Sequence, residues 1–131
     1  MLVVREEVRW WLELGQKNLR RAERAMEDTD YPEAVFWCHQ AVEFALKGFV
    51  LFKGELPIKT HNLSKLLRQA HLDDVLPKHE ITELSPYYSI SRYPDILEGI
   101  PEVEEETAER FFELAKRVLA LVKRRVGLER S

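Results

Sequence analysis

Only one cysteine, Cys38, stands in the sequence, so an intramolecular disulfide is excluded and a cysteine-built zinc site lacks its ligand set. The five glycines are scattered and form no Gly-rich phosphate loop. Four histidines (His39, His61, His71, His79) fall in no metal-ligand spacing, and no serine sits in a nucleophile elbow. Neither a metal nor another cofactor is therefore expected. An excess of positive charge is also missing: 20 Lys and Arg face 23 Asp and Glu, for a net charge of -3. Domains that hold nucleic acid by overall charge are usually basic, so only a local basic patch remains open. No apolar run is long and clean enough to span a bilayer, because His39, Gln40, Glu43 and Lys47 interrupt the richest one, Ala34 to Phe52. Residues 1–30 carry Arg5, Glu6, Glu7, Arg9 and Glu13, which leaves no apolar core of signal-peptide type. A cytoplasmic protein without membrane contact is the expectation.

What is present is a chain of 131 residues, 45% apolar and 33% charged, which suits one globular domain over residues 1–131 with an ionised surface. Residues 4 to 28 read as an amphipathic helix, with Val4, Val8, Trp11, Gly15, Leu19, Ala22 and Met26 on one face. Asp30-Tyr-Pro-Glu33 reads as a capped start for a second helix, from about Tyr31 to Lys53, that ends at Gly54. Thr60 is placed to cap a short third helix through about His71, packed by Leu63, Leu66 and Leu67. Four prolines between residues 72 and 101 limit that region to a brief helix around Lys78–Leu84 and an irregular Tyr-rich loop. A last helix begins near Pro101, opens on glutamates, ends in Lys123-Arg-Arg125, and buries Phe111, Ala115, Val118 and Val122. With no segment reading as strand, the fold class is all-α, an antiparallel up-and-down bundle.

The second helix is apolar around nearly its whole circumference. Such a helix is either enclosed or shared with a partner. In so short a bundle the surplus points to a two-fold homodimer through this helix, the other reading being cover by the chain itself and the 72–101 region. Its polar exceptions, His39, Glu43 and Lys47, recur four apart with Gln40 beside them. On spacing alone that strip reads as the solvated edge of the helix.

Two spots carry chemistry. His61 falls in the first turn of the third helix, beside Asn62, where free N–H groups and the dipole suit a phosphate. Arg92, within Ser91-Arg-Tyr-Pro-Asp95, can clamp phosphate while Tyr93 stacks on a base, or can pair with Asp95 and simply shape the loop. Cys38, inside an apolar helix, reads as inert packing, and the basic stretch Lys116–Arg125 as a solvated helix end.

Three blocks in this order, Cys38-His-Gln-Ala-Val-Glu-Phe-Ala-Leu-Lys47, Thr60-His-Asn-Leu-Ser-Lys-Leu-Leu67 and Ser91-Arg-Tyr-Pro-Asp95, resemble the HEPN family over most of the chain. The resemblance implies a bundle of about five helices, commonly a homodimer. It implies functions ranging from metal-independent RNases, often toxins, to small proteins that accompany minimal nucleotidyltransferases, with nucleotide binding proposed for the family as a whole. Glu43, Lys47, His61, Arg92, Tyr93 and Asp95 match its recurrent polar positions. The nuclease branch carries Arg followed by His after four to six residues, and no arginine stands at that distance before any histidine here. The expected function is thus a dimeric, non-catalytic partner of a nucleotidyltransferase in a toxin–antitoxin-like pair. The alternatives are a nucleotide-binding module with phosphate at His61 and Arg92, and an RNase in which His61 and Arg92 converge from separate segments.

Overall fold

The backbone of residues 5–90 and 102–128 is described in a computed structural model, as are their side chains except that of Ile90. Three helices of 22 residues each, α1 (Glu6–Glu27), α2 (Tyr31–Phe52) and α6 (Glu105–Val126), form the bundle. Shorter pieces, α3 (Leu63–Gln69), α4 (Lys78–Leu84) and the single turn α5 (Tyr87–Ile90), connect α2 to α6. Among the described residues there is no strand. The chain is an all-α helical bundle.

Local chemistry accounts for the boundaries. Asp30 accepts from the Glu33 N–H at 3.4 Å, and a proline in the first turn loses no helical bond. Only three residues separate α1 from α2, so the two run antiparallel. α6 starts on Glu105 and Glu106 and ends on Lys123, Arg124 and Arg125, matching the helix dipole, and Gly127 closes it at φ 82.

α2 is the centre of the bundle. Fourteen of its 22 residues are buried, and it packs against α1, α3, α5 and α6. It is long and apolar enough to cross a membrane by length and composition, yet most of its apolar stretch is buried inside the protein, as in a core helix. The apolar circumference is therefore spent largely within the chain, and surplus apolar surface no longer speaks for a dimer through α2. Full burial of one of its leucines, such as Leu46, contributes about 1.5–3 kcal/mol relative to exposure. α1 lies close against it: a Cβ on Gly48 would sit 3.1 Å from both Leu12 Cδ2 and Trp11 Cβ.

Of the expected α1 face, Val8, Gly15, Leu19 and Ala22 are buried as expected, and Val4 lies outside the described residues. Leu12 and Ala25 are buried where Trp11 and Met26 were expected, and Trp11 lies at the rim against Phe44, ring centroids 5.3 Å apart. The α6 seam of Phe111, Ala115, Val118 and Val122 is buried as expected, extended by Ala108, Leu114, Leu119 and Val126. Where an irregular Tyr-rich loop was expected, Tyr87–Ile90 forms a helical turn.

A buried carboxylate behind an exposed imidazole

The strip on α2 is not a solvated edge. His39 is 0% and Glu43 1% exposed, and Lys47 keeps only 12% of its side chain in contact with solvent. His61, in the segment after α2, lies against His39 and Glu43, while Lys47 Nζ sits 5.8 Å from the centre of the Trp11 ring. Within that segment the amide of Gln69 accepts from the Ile58 N–H and donates to the Leu56 carbonyl, tying it to α3.

His61 also sits elsewhere than expected. Asn62, not Thr60, is the N-cap of α3 and accepts from the Lys65 N–H at 3.0 Å, so His61 precedes the helix. Thr60 Oγ1 instead accepts from the Asn62 N–H. The Leu63 N–H is taken by Ser85 Oγ at 2.9 Å. The Asn62, Leu63 and Lys65 N–H groups are thus already engaged, which leaves little of the expected phosphate cradle at the start of a helix of only seven residues.

What the fold builds instead is a pair of residues. Glu43 Oε1 lies 2.9 Å from His61 Nδ1, and Glu43 Oε2 accepts from Lys47 Nζ at 3.0 Å. Two charge-assisted contacts on one carboxylate are what its burial requires. Donating from Nδ1 leaves His61 Nε2 as the free ring position, and Nε2 has no hydrogen-bond partner among the described residues. Tyr88, on α5, stacks on His61 with centroids 3.7 Å apart and rings within 12° of parallel. Held by a carboxylate and a ring, His61 still exposes 48% of its side chain.

His39 supports this arrangement from beneath. Its Nε2 lies 3.1 Å from the His61 carbonyl, an oxygen that can only accept, so Nε2 carries the proton. Nδ1 lies 3.2 Å from Gln40 Oε1. Turning the Gln40 amide half a turn exchanges its oxygen for NH2 and gives a neutral ring two good bonds. Burial is the main force on this ring and lowers its pKa below the usual histidine value, against the opposing pull of Glu43 and of the bond the ring donates to the His61 carbonyl. The unfolded chain then takes up a proton that the folded ring resists, so stability present above pH 6.5 is lost as the pH falls below it. Melting temperatures at about pH 7.5 and about pH 5.5 should therefore differ more in the native protein than in His39→Gln. An equal difference in both would show that His39 does not titrate with unfolding.

His61 and Tyr88 border a cleft of about 540 Å³ between α3, α4 and α5, whose other lining includes Asn62, Ser64, Thr82 and Ser85. Of the other site residues expected from sequence, Arg92, Tyr93 and Asp95 lie outside the described residues. Among the described residues no group of three His, Cys, Asp or Glu side chains is placed to hold a metal ion. Burial pushes the Cys38 thiol up to about 12, so it is protonated and inert at neutral pH. Sequence reasoning missed Tyr88, for which no local signal exists. It also missed the burial of His39 and Glu43, because a narrow polar strip on an apolar helix fits a solvated edge and a covered row equally well.

The family model for the HEPN domain matches residues 8–125, which takes in the whole buried-carboxylate arrangement. The chain belongs to the HEPN family. Two solved structures resemble this HEPN domain along nearly their full length. TT1696 from Thermus thermophilus is 32% identical with a TM-score of 0.78, covering 92% of this chain and 98% of its own. ST0689, described as an archaeal HEPN homologue, is 30% identical with a TM-score of 0.74, covering 91% and 97%. No curated protein matches the HEPN chain.

Proposed function

We propose that this HEPN protein binds a nucleotide in the cleft beside His61. The supporting observation is the half-exposed imidazole, fixed from behind by buried Glu43, stacked on Tyr88, and facing the cleft with Nε2 uncommitted among the described residues. Small-molecule sites commonly occupy about 300–1,000 Å³ and hold a few fixed polar groups, and the cleft meets both conditions. Stacked rings offer a platform for a base, and an Nε2 of fixed direction can accept a proton from the ligand or, in the imidazolium form, donate to its oxygens.

In the cell, the family resemblance supports a dimer that works as the non-catalytic partner of a separate nucleotidyltransferase, in a toxin–antitoxin-like pair. Stable co-purification of the two proteins is the corresponding expectation, and repeated failure to form a complex removes it.

The same dyad favours one further reading. A histidine oriented by a carboxylate is competent as a general base, so a metal-independent RNase centred on His61 is chemically open. One variant separates the readings. Calorimetric titration with ribonucleotides should saturate in the native protein and weaken about tenfold or more in His61→Ala, the worth of one good hydrogen bond plus lost stacking. Flat titrations overturn nucleotide binding. RNA incubated with EDTA should remain intact if the protein is a binding module, whereas cleavage that vanishes in His61→Ala establishes the RNase.

A further inference from the structure

The cleft is rich in hydroxyl groups, and the direction of their hydrogen bonds restricts what they can hold. Thr82 Oγ1 donates to the Lys78 carbonyl at 2.9 Å, which uses the only hydrogen that hydroxyl has. Ser64 Oγ lies 2.9 Å from Thr82 Oγ1. Since Thr82 has no hydrogen left to give, Ser64 is the donor in that contact, and its hydrogen is spent too. Ser64 therefore meets a ligand as an acceptor. Asn62 is constrained in the opposite sense: its Oδ1 is held by the Lys65 N–H, which leaves the NH2 as its free end. No lysine or arginine is among the described residues that line the cleft.

A phosphate ester is rich in acceptors and poor in donors, so it finds no complement in Ser64. The Thr60 and Ser85 hydroxyls, which accept from backbone N–H groups and keep their own hydrogens, are the donors the cleft can offer it elsewhere. A sugar hydroxyl both donates and accepts, and can give its hydrogen to Ser64 Oγ while receiving one from Asn62 Nδ2. We infer that the Ser64–Asn62 end of the cleft is a sugar subsite that recognises the ribose hydroxyls of a nucleotide, with the His61–Tyr88 stack serving the base. The Leu63 and Lys65 N–H groups, already bonded to Ser85 and Asn62, play no part. This inference rests on the nucleotide reading above and adds the moiety that is recognised. The 2′-hydroxyl distinguishes ribonucleotides from deoxyribonucleotides, and losing one hydrogen bond of ordinary strength corresponds to about tenfold in affinity.

The test is calorimetric titration of the full chain with the four ribonucleoside 5′-monophosphates, their 2′-deoxy counterparts, and inorganic phosphate alone. At least one ribonucleotide should bind about tenfold more tightly than its deoxy form, and any binding of phosphate alone should be unchanged in Ser64→Ala. In Ser64→Ala, with folding verified by circular dichroism, the ribo-to-deoxy ratio should fall to about one. Equal binding of ribo and deoxy forms overturns the sugar subsite and leaves nucleotide binding intact, as does a ratio that survives in Ser64→Ala. Binding of phosphate alone that is lost in Ser64→Ala likewise overturns the subsite, because it would place phosphate where the sugar is assigned. Absence of any nucleotide binding overturns the nucleotide reading and the subsite together.

Discussion

Replacing Glu43 with alanine is expected to cost the fold about 3–5 kcal/mol, because it strips one partner from a buried charge pair and leaves the other behind. The carboxylate is 1% exposed and holds Lys47 Nζ at 3.0 Å on one oxygen and His61 Nδ1 at 2.9 Å on the other. Without it, the mostly covered Lys47 ammonium must find water, and the His61 ring loses the acceptor that sets its tautomer. Glu43→Gln keeps the shape and removes only the charge, so its loss should be smaller, about 1–3 kcal/mol. Urea denaturation of the three proteins reads these differences as shifts in midpoint at constant slope. A loss below about 1 kcal/mol in Glu43→Ala would mean that the desolvation cost of the carboxylate cancels what its partners return. Glu43 would then serve to position His61 without stabilising the fold.

Phe111→Ala should be comparably damaging, at about 3–5 kcal/mol for a large ring removed from a filled core. Phe111 is 1% exposed on the inward seam of α6 and meets the Tyr87 ring at a centroid distance of 5.6 Å. Tyr87 belongs to the single turn that carries Tyr88 against His61. The truncation is therefore expected to act twice, through the cavity and through loss of the support beneath α5. A native protein has only about 5–15 kcal/mol in hand, so the variant should unfold at markedly lower guanidinium and bind nucleotide more weakly even where it remains folded. Unchanged affinity in the folded variant would show that α5 is held without Phe111.

How much of this was visible in the sequence depends on the range of the interaction involved. The bounds of α4, Lys78–Leu84, were readable because Pro77 and Pro86 punctuate them locally. Asp30 and Gly127 are local signals of the same kind. His61 was misplaced because Thr60 and Asn62, two residues apart, are both good caps. The decision falls to Asn62, with Ser85 arriving from a distant part of the chain to take the Leu63 N–H. Whether His39 and Glu43 face water was undecidable from spacing, since the residues that bury them lie about twenty positions or more further on. The surplus apolar surface of α2 was real. Its cover comes from several separate elements of the same chain, which periodicity within α2 does not report.

The tether that Gln69 makes to the segment after α2 bears on the length of that segment. Its amide grips the backbone at Leu56 and Ile58, and His39 grips it again at the His61 carbonyl. Between these fixed points lie only two residues, a span of about 10 Å when extended. The imidazole is thus delivered by a strut of metered length rather than by a hinge. Deleting a residue there would draw the ring off its carboxylate, and inserting one would push it past, so chain length at this point is itself a determinant of the site.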